Sequence, residues 1–80
     1  MLDNLRFKKK TVGIKQTLRA LEEGIAVQII LAKDADPKVL GKINELCSKN
    51  NIEIIYADNM KLLGKACGID VGAASVAILE

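Results

Sequence analysis

Three short aliphatic runs, separated by stretches of helical spacing, constrain this chain more than any other feature. They are VQIILA at residues 27–32, IEIIYA at 52–57 and ASVAIL at 74–79. A strand with one wet face alternates apolar and polar residues, whereas a strand covered on both faces reads as a near-continuous hydrophobic run. These runs are of the second kind, so helices must lie on both sides of the sheet they build. The intervals supply them. From residue 13 onward, Ile14, Leu18, Leu21 and Ile25 fall at helical spacing as one core-facing stripe, and Gly24 is a helix stop. Asp36 followed by Pro37 marks the next start, and Val39, Leu40, Ile43, Leu46 and Cys47 form that helix's apolar face up to Asn50-Asn51. Asp58 or Asn59 caps a shorter helix running to about Cys67, with Gly68 as its stop. A short strand near Thr11-Val12 completes the expectation. This is the α/β class, a three-layer α/β/α sandwich around a small mixed sheet of about four strands, with residues 1–80 as a single domain. Strand order is left open by the pattern.

Half of the 80 residues are hydrophobic, yet Phe7 and Tyr56 are the only aromatics, so the core must be aliphatic. No apolar run approaches the roughly 20 residues that span a bilayer. The start, MLDNLRFKKK, has basic residues but no apolar segment after them, unlike a signal peptide. Cys47 and Cys67 are too few and too far apart for a disulfide framework or a zinc ribbon, and there is no histidine. The expectation is a cytoplasmic, reduced chain with no metal, no cofactor and no membrane partner. Net charge is +2 but unevenly placed. Residues 1–19 hold Arg6, Lys8, Lys9, Lys10, Lys15 and Arg19 against Asp3, a net of +5, and residues 20–80 hold six basic against nine acidic side chains, a net of −3. That asymmetry points to a polyanion-binding end, although a lysine triplet near a terminus also serves solubility alone.

The catalytic inventory is thin. Cys47 falls on an apolar helix face, as a core thiol does. Cys67 lies near a helix end without the base that would make it a thiolate, and Ser48 and Ser75 have no base either. Asp34 and Asp36 resemble paired carboxylates, but capping accounts for Asp36. No glycine-rich phosphate loop is present. An enzyme is the weaker class.

In GIKQTLRALEEG, Lys15, Gln16 and Arg19 share a face away from the apolar stripe, since i,i+3 and i,i+4 neighbours cluster. They occupy the first turns, where free N–H groups and the helix dipole favour anions, and Gly13 lets a nucleic-acid backbone approach closely. Lys and Arg read guanine edges, and an amide such as Gln both donates and accepts. By spacing alone the same cluster also reads as a solvated polar face. Residues 67–73, CGIDVGA, are too rich in glycine for regular structure and too apolar for an ordinary loop. Unstacked RNA bases need such an apolar cover, and a chain with two aromatics cannot stack bases on a sheet of aromatic side chains. Ile69 and Val71 could equally plug the core.

VGIKQTLRALEEG, ILAKDADP and KLLGKACGIDVGAASVAI, taken together, resemble the kink-turn RNA-binding proteins of the ribosomal protein L-seven-Ae and L-thirty-e superfamily. The likeness is strongest to its short bacterial, YbxF-like members. It covers nearly the whole chain, in order, and is carried by G-x-x-x-T-x-[KR]-A-L-x-x-G and L-G-x-A-C-G-I-x-V-G-A-A. It implies an α/β/α sandwich that recognises kink-turns with tandem sheared G·A pairs and stabilises the bent RNA. The implied contacts are Gly13, Lys15, Gln16 and Arg19 at the helix start and Ile69, Asp70, Val71, Gly72 and Ala73 in the apolar loop. Lys61 and Lys65 are weaker candidates for backbone contact. Archaeal members of the superfamily carry Asn-Glu where this chain has Lys15-Gln16; glutamine keeps a hydrogen bond to a guanine edge but brings no carboxylate acceptor. The expected partner is structured RNA of ribosomal or riboswitch type, not DNA, bound by a monomer. The alternative class is a protein- or small-ligand-binding α/β module that uses the loop at 69–73.

Overall fold

The computed structural model describes residues 5–80. A 3-10 turn, Leu5–Phe7, leads into strand β1 (Lys10–Val12) and helix α1 (Ile14–Glu23). Strand β2 (Ala26–Ala32), helix α2 (Pro37–Asn50), strand β3 (Glu53–Ala57), helix α3 (Met60–Ala66) and strand β4 (Ser75–Leu79) follow. The sheet order is β1-β4-β2-β3. β4 is antiparallel to both β1 and β2, while β3 pairs with β2 in parallel. The last strand of the chain is therefore central in the sheet.

The continuity of the aliphatic runs is explained by two cores, one on each face. In β2, Ile29 and Leu31 pack with Ala20 and Leu21 of α1 and Ile43 and Cys47 of α2. Their neighbours Ile30 and Ala32 point the other way, toward Leu5 and toward Leu63 and Cys67 at the α3 side. β4 divides likewise, with Ala77 in the first core and Val76 and Ile78 in the second. Period-two alternation thus feeds two apolar layers from one strand. One residue is extra: Ala26 pairs with Leu79 and Gln28 with Ile78, a bulge that turns Val27 out to solvent.

Each helix start is fixed by a different device. Asp36 accepts from the Lys38 N–H at 2.9 Å, with Pro37 at the first helical position of α2. Asn59, rather than Asp58, caps α3, accepting from the Leu62 N–H at 2.8 Å. Asp34 reaches over from the β2–α2 connection to accept the Met60 N–H at 2.8 Å. The α1 start has no side-chain cap. The expected stripe on α1 needs correction: Ile14 and Ile25 stand 36% and 40% exposed, and the buried residues of the helix are Thr17, Ala20 and Leu21. Ile14 lies in the first turn, at the edge of a shallow depression shared with Val39 and Ile43 of α2, and Ile25 lies beyond the last turn.

Thr17 and Ser75 are the buried polar residues among those described, and they face each other. Their hydroxyl oxygens lie 2.9 Å apart, Thr17 Oγ1 also donates to the Gly13 carbonyl at 2.7 Å, and the Gly13 N–H donates to the Ser75 carbonyl at 2.9 Å. Thr17→Val keeps the shape but leaves Ser75 Oγ without its side-chain partner, so it should lower stability by about 1–3 kcal/mol in denaturant titrations. Adding Ser75→Ala should then cost less than it does alone, and strict additivity of the two losses would refute this pairing. Two glycines on helices give opposite expectations. At Gly64 a Cβ would collide with the Val71 carbonyl oxygen and sit 3.1 Å from Gly72 Cα, whereas at Gly41 it meets nothing within 4 Å. Thermal melts should therefore show Gly41→Ala stabilised by about 0.5–1 kcal/mol and Gly64→Ala destabilised by about 1–3 kcal/mol.

Candidate nucleic-acid interface

β1, β2 and β3 run in the same direction, and each is followed by a helix. The starts of α1, α2 and α3 therefore share one end of the sheet, the end at which β4 begins with Ser75. Their positive dipole ends are gathered there. The carboxylates of Asp34 and Asp36 already occupy N–H groups of α3 and α2, and Asn59 caps α3 as well. α1 differs: its N-cap is Gly13, and no acidic residue lies in its first turn. Its first N–H groups are left for an external acceptor.

Gly13 adopts φ 115°, which a side chain would resist, and the Gln16 amide oxygen folds back over it, 2.5 Å from where a Cβ would be. Lys15, Gln16 and Arg19 are all exposed. Together with Leu18 and Glu22 they line an open depression of about 350 Å³. The sequence did not single out Glu22, although its i,i+3 spacing from Arg19 places it on the same face. It sets the acidic limit of the basic surface. No ion pair among the described residues engages Lys15 or Arg19; the recorded pair joins Lys33 to Asp58 at 3.6 Å.

The segment between α3 and β4 climbs back along α3. The Ile69 N–H donates to the Gly64 carbonyl at 3.1 Å and the Ala73 N–H to the Met60 carbonyl at 3.0 Å. Val71 is 70% exposed, Ile69 36%, and Asp70 and Gly72 also face solvent. Core plugging by Ile69 and Val71 is therefore not what the loop does. Ala73 is different: it is 3% exposed and packs in the α3-side core, where it anchors the loop rather than presenting a side chain. Lys61 and Lys65 are exposed, each one residue along from Met60 and Gly64 and so about 100° round α3.

Ser75 brings the helix start and the loop together. It follows the loop by two residues, its carbonyl holds Gly13, and its hydroxyl holds Thr17. A basic helix start and an apolar loop are thereby presented at one end of the sheet. The rest of the chemistry is inert. Burial raises the Cys47 thiol above its ordinary value; burial also raises Cys67, with the Lys10 ammonium pulling weakly the other way. Both thiols stay protonated at neutral pH. Among the described residues, no group of three His, Cys, Asp or Glu could hold a metal ion, and no helix is long and apolar enough to cross a membrane.

Comparison with known proteins finds relatives named as RNA-binding proteins. The RNA-binding protein BH0128 of Halalkalibacterium halodurans is 55% identical over 67 residues, which is 84% of this chain and 82% of that one. The RNA-binding protein YbxF of Geobacillus stearothermophilus is 49% identical over 72 residues, 90% and 88% of the two chains. Among solved structures, the 15.5kD RNA binding protein of Giardia lamblia superposes with a TM-score of 0.90 at 21% identity, covering 99% of this chain and 70% of its own. Its likeness is one of fold. Residues 3–80 match the family described as Ribosomal protein L7Ae/L30e/S12e/Gadd45. The chain belongs to that family, among its YbxF-like members.

Proposed function

We propose that this chain is an RNA-binding protein that recognises kink-turns with tandem sheared G·A pairs and stabilises their bent form. One observation carries the proposal: Ser75 ties an uncapped, basic helix start to an exposed apolar loop. The relatives named as RNA-binding proteins agree with it. Phosphates sit at the first N–H groups of α1, as anions do at helix N-termini. Lys15, Gln16 and Arg19 reach the guanine edges, which the kink opens on its major-groove side. Ile69 and Val71 cover extruded bases, and Lys61 and Lys65 hold the backbone beside them. Because these contacts exist only in the bent RNA, binding shifts the RNA population toward that form. The protein acts as a cytoplasmic monomer, and no catalytic step is involved. Its carboxylates at Asp34 and Asp36 are engaged at helix starts, and its thiols are protonated.

The exposure of Val71 also suits a protein partner, and one titration separates the two. A kink-turn RNA should bind, and the same RNA with its G·A pairs replaced should bind far more weakly; equal binding to both, or to neither, overturns kink-turn recognition. Arg19→Ala should weaken binding by about 1–3 kcal/mol and reduce discrimination at a guanine. Lys61→Ala, which removes a backbone contact, should lower the slope of log K against log salt by about 1.

A further inference from the structure

The N-terminal turn carries a feature that kink-turn recognition leaves unused. Leu5 is 3% exposed and packs in the α3-side core. The Lys8 N–H donates to the Leu5 carbonyl at 3.2 Å, Lys10 Nζ to the Arg6 carbonyl at 3.1 Å, and the Leu79 N–H to the Lys9 carbonyl at 2.9 Å. These contacts fix the course of the backbone on both sides of Phe7. Even so, Phe7 is 82% exposed, more than any other large apolar side chain among the described residues. Leaving a phenylalanine out forgoes the stabilisation that its burial would bring. Its flanks are Arg6, Lys8, Lys9 and Lys10, with no acidic residue among them. Arg6 Cζ lies 6.0 Å from the ring centroid.

We infer that Arg6, Phe7, Lys8 and Lys9 form a second RNA-contact site, taking single-stranded nucleotides that flank the kink-turn. A base stacks on Phe7, the Arg6 guanidinium lies beside it, and Lys8 and Lys9 hold the adjoining phosphates. The inference rests on the RNA reading above and extends it to an unpaired strand. A one-sign basic surface selects a polyanion, and an exposed aromatic ring selects a polyanion with free π faces. A duplex hides those faces, whereas a single strand offers them. Position supports the same occupant. Arg6 Nε lies 3.4 Å from where a Cβ of Gly68 would stand, and Gly68 directly precedes the apolar loop. The turn thus adjoins the start of the loop, whose single acidic side chain is Asp70.

The test uses the full chain and a kink-turn duplex, either blunt or with a single-stranded tail on each of its four ends in turn. Binding is measured by titration, together with an untailed single-stranded oligonucleotide alone. At least one tail should tighten binding by about tenfold. Phe7→Ala should abolish that gain while leaving blunt-duplex affinity and the melting temperature unchanged, and Phe7→Trp should retain it. Lys9→Ala should lower the salt slope for the tailed RNA by about 1, and not for the blunt one. No gain from any tail, or a gain that survives Phe7→Ala, overturns the site. Equal weakening of blunt and tailed RNA by Phe7→Ala overturns it too. If the blunt kink-turn fails to bind but the oligonucleotide binds through Phe7, the second site stands and kink-turn recognition falls. Binding to vesicles containing anionic lipid that Phe7→Ala abolishes, with RNA binding unchanged, would reassign the turn to a membrane surface and overturn the inference.

Discussion

Ser75 and Thr17 bury two hydroxyl groups between α1 and β4; the Ser75 hydroxyl has the Thr17 hydroxyl as its side-chain partner, and Thr17 also donates to the Gly13 carbonyl. A buried hydroxyl without a partner costs about 1–3 kcal/mol, so the pair holds the helix in one position rather than several. The Gly13 carbonyl and N–H are caught in the same cluster. Two surfaces far apart in the chain, at residues 13–19 and 69–73, are thereby fixed in relation to one another. Simple apolar packing would attach α1 to the sheet but would tolerate sliding. The hydroxyl pair does not.

Electrostatics follow from topology. Three parallel strands each feed a helix from the same end of the sheet, so three dipoles point one way. In α2 and α3 that positive end is occupied internally by Asp36, Asp34 and Asn59. In α1 it is left open and supplemented by Lys15 and Arg19. The positive end left open on this side belongs to one helix out of three. The remaining cations, from Arg6 to Lys10, lie near the opposite end of α3, beside Gly68.

The elements were legible in the sequence because local chemistry and tertiary context agree over most of the chain. Residues of 27–32, 52–57 and 74–79 feed both cores, although Val27 and Tyr56 stay exposed, and Asp36-Pro37 does mark a helix start. The stripe on α1 misled at Ile14 and Ile25 because periodicity reports which face a residue occupies, and not how fully it is covered at the helix ends. Strand order was hidden, since pairing β4 between β1 and β2 joins residues far apart in sequence. The helix-start residues and the loop were visible through spacing and family likeness together. Ser75 had registered only as a nucleophile without a base; its use as a tie depends on a partner 58 positions away. Ala73 read as one more small loop residue, because nothing local distinguishes an anchor from a contact. Phe7 reads in the sequence as one member of a basic run, since nothing local says that its ring stays out of the core while Leu5 enters it.

The course of the loop along α3 is set by main-chain groups: Ile69 against Gly64, Ala73 against Met60, and the close passage of Val71 over Gly64. Glycine at 64 and 72 makes that passage feasible, and the side chains of Ile69, Asp70 and Val71 take no part in holding it. Architecture and vocabulary are thus separated within a single segment. Substitutions at 69–71 change outward side chains, while at 64 a Cβ would meet the Val71 carbonyl oxygen and at 73 the side chain is buried. Such a division lets one small scaffold drift among related partners through its outward residues alone.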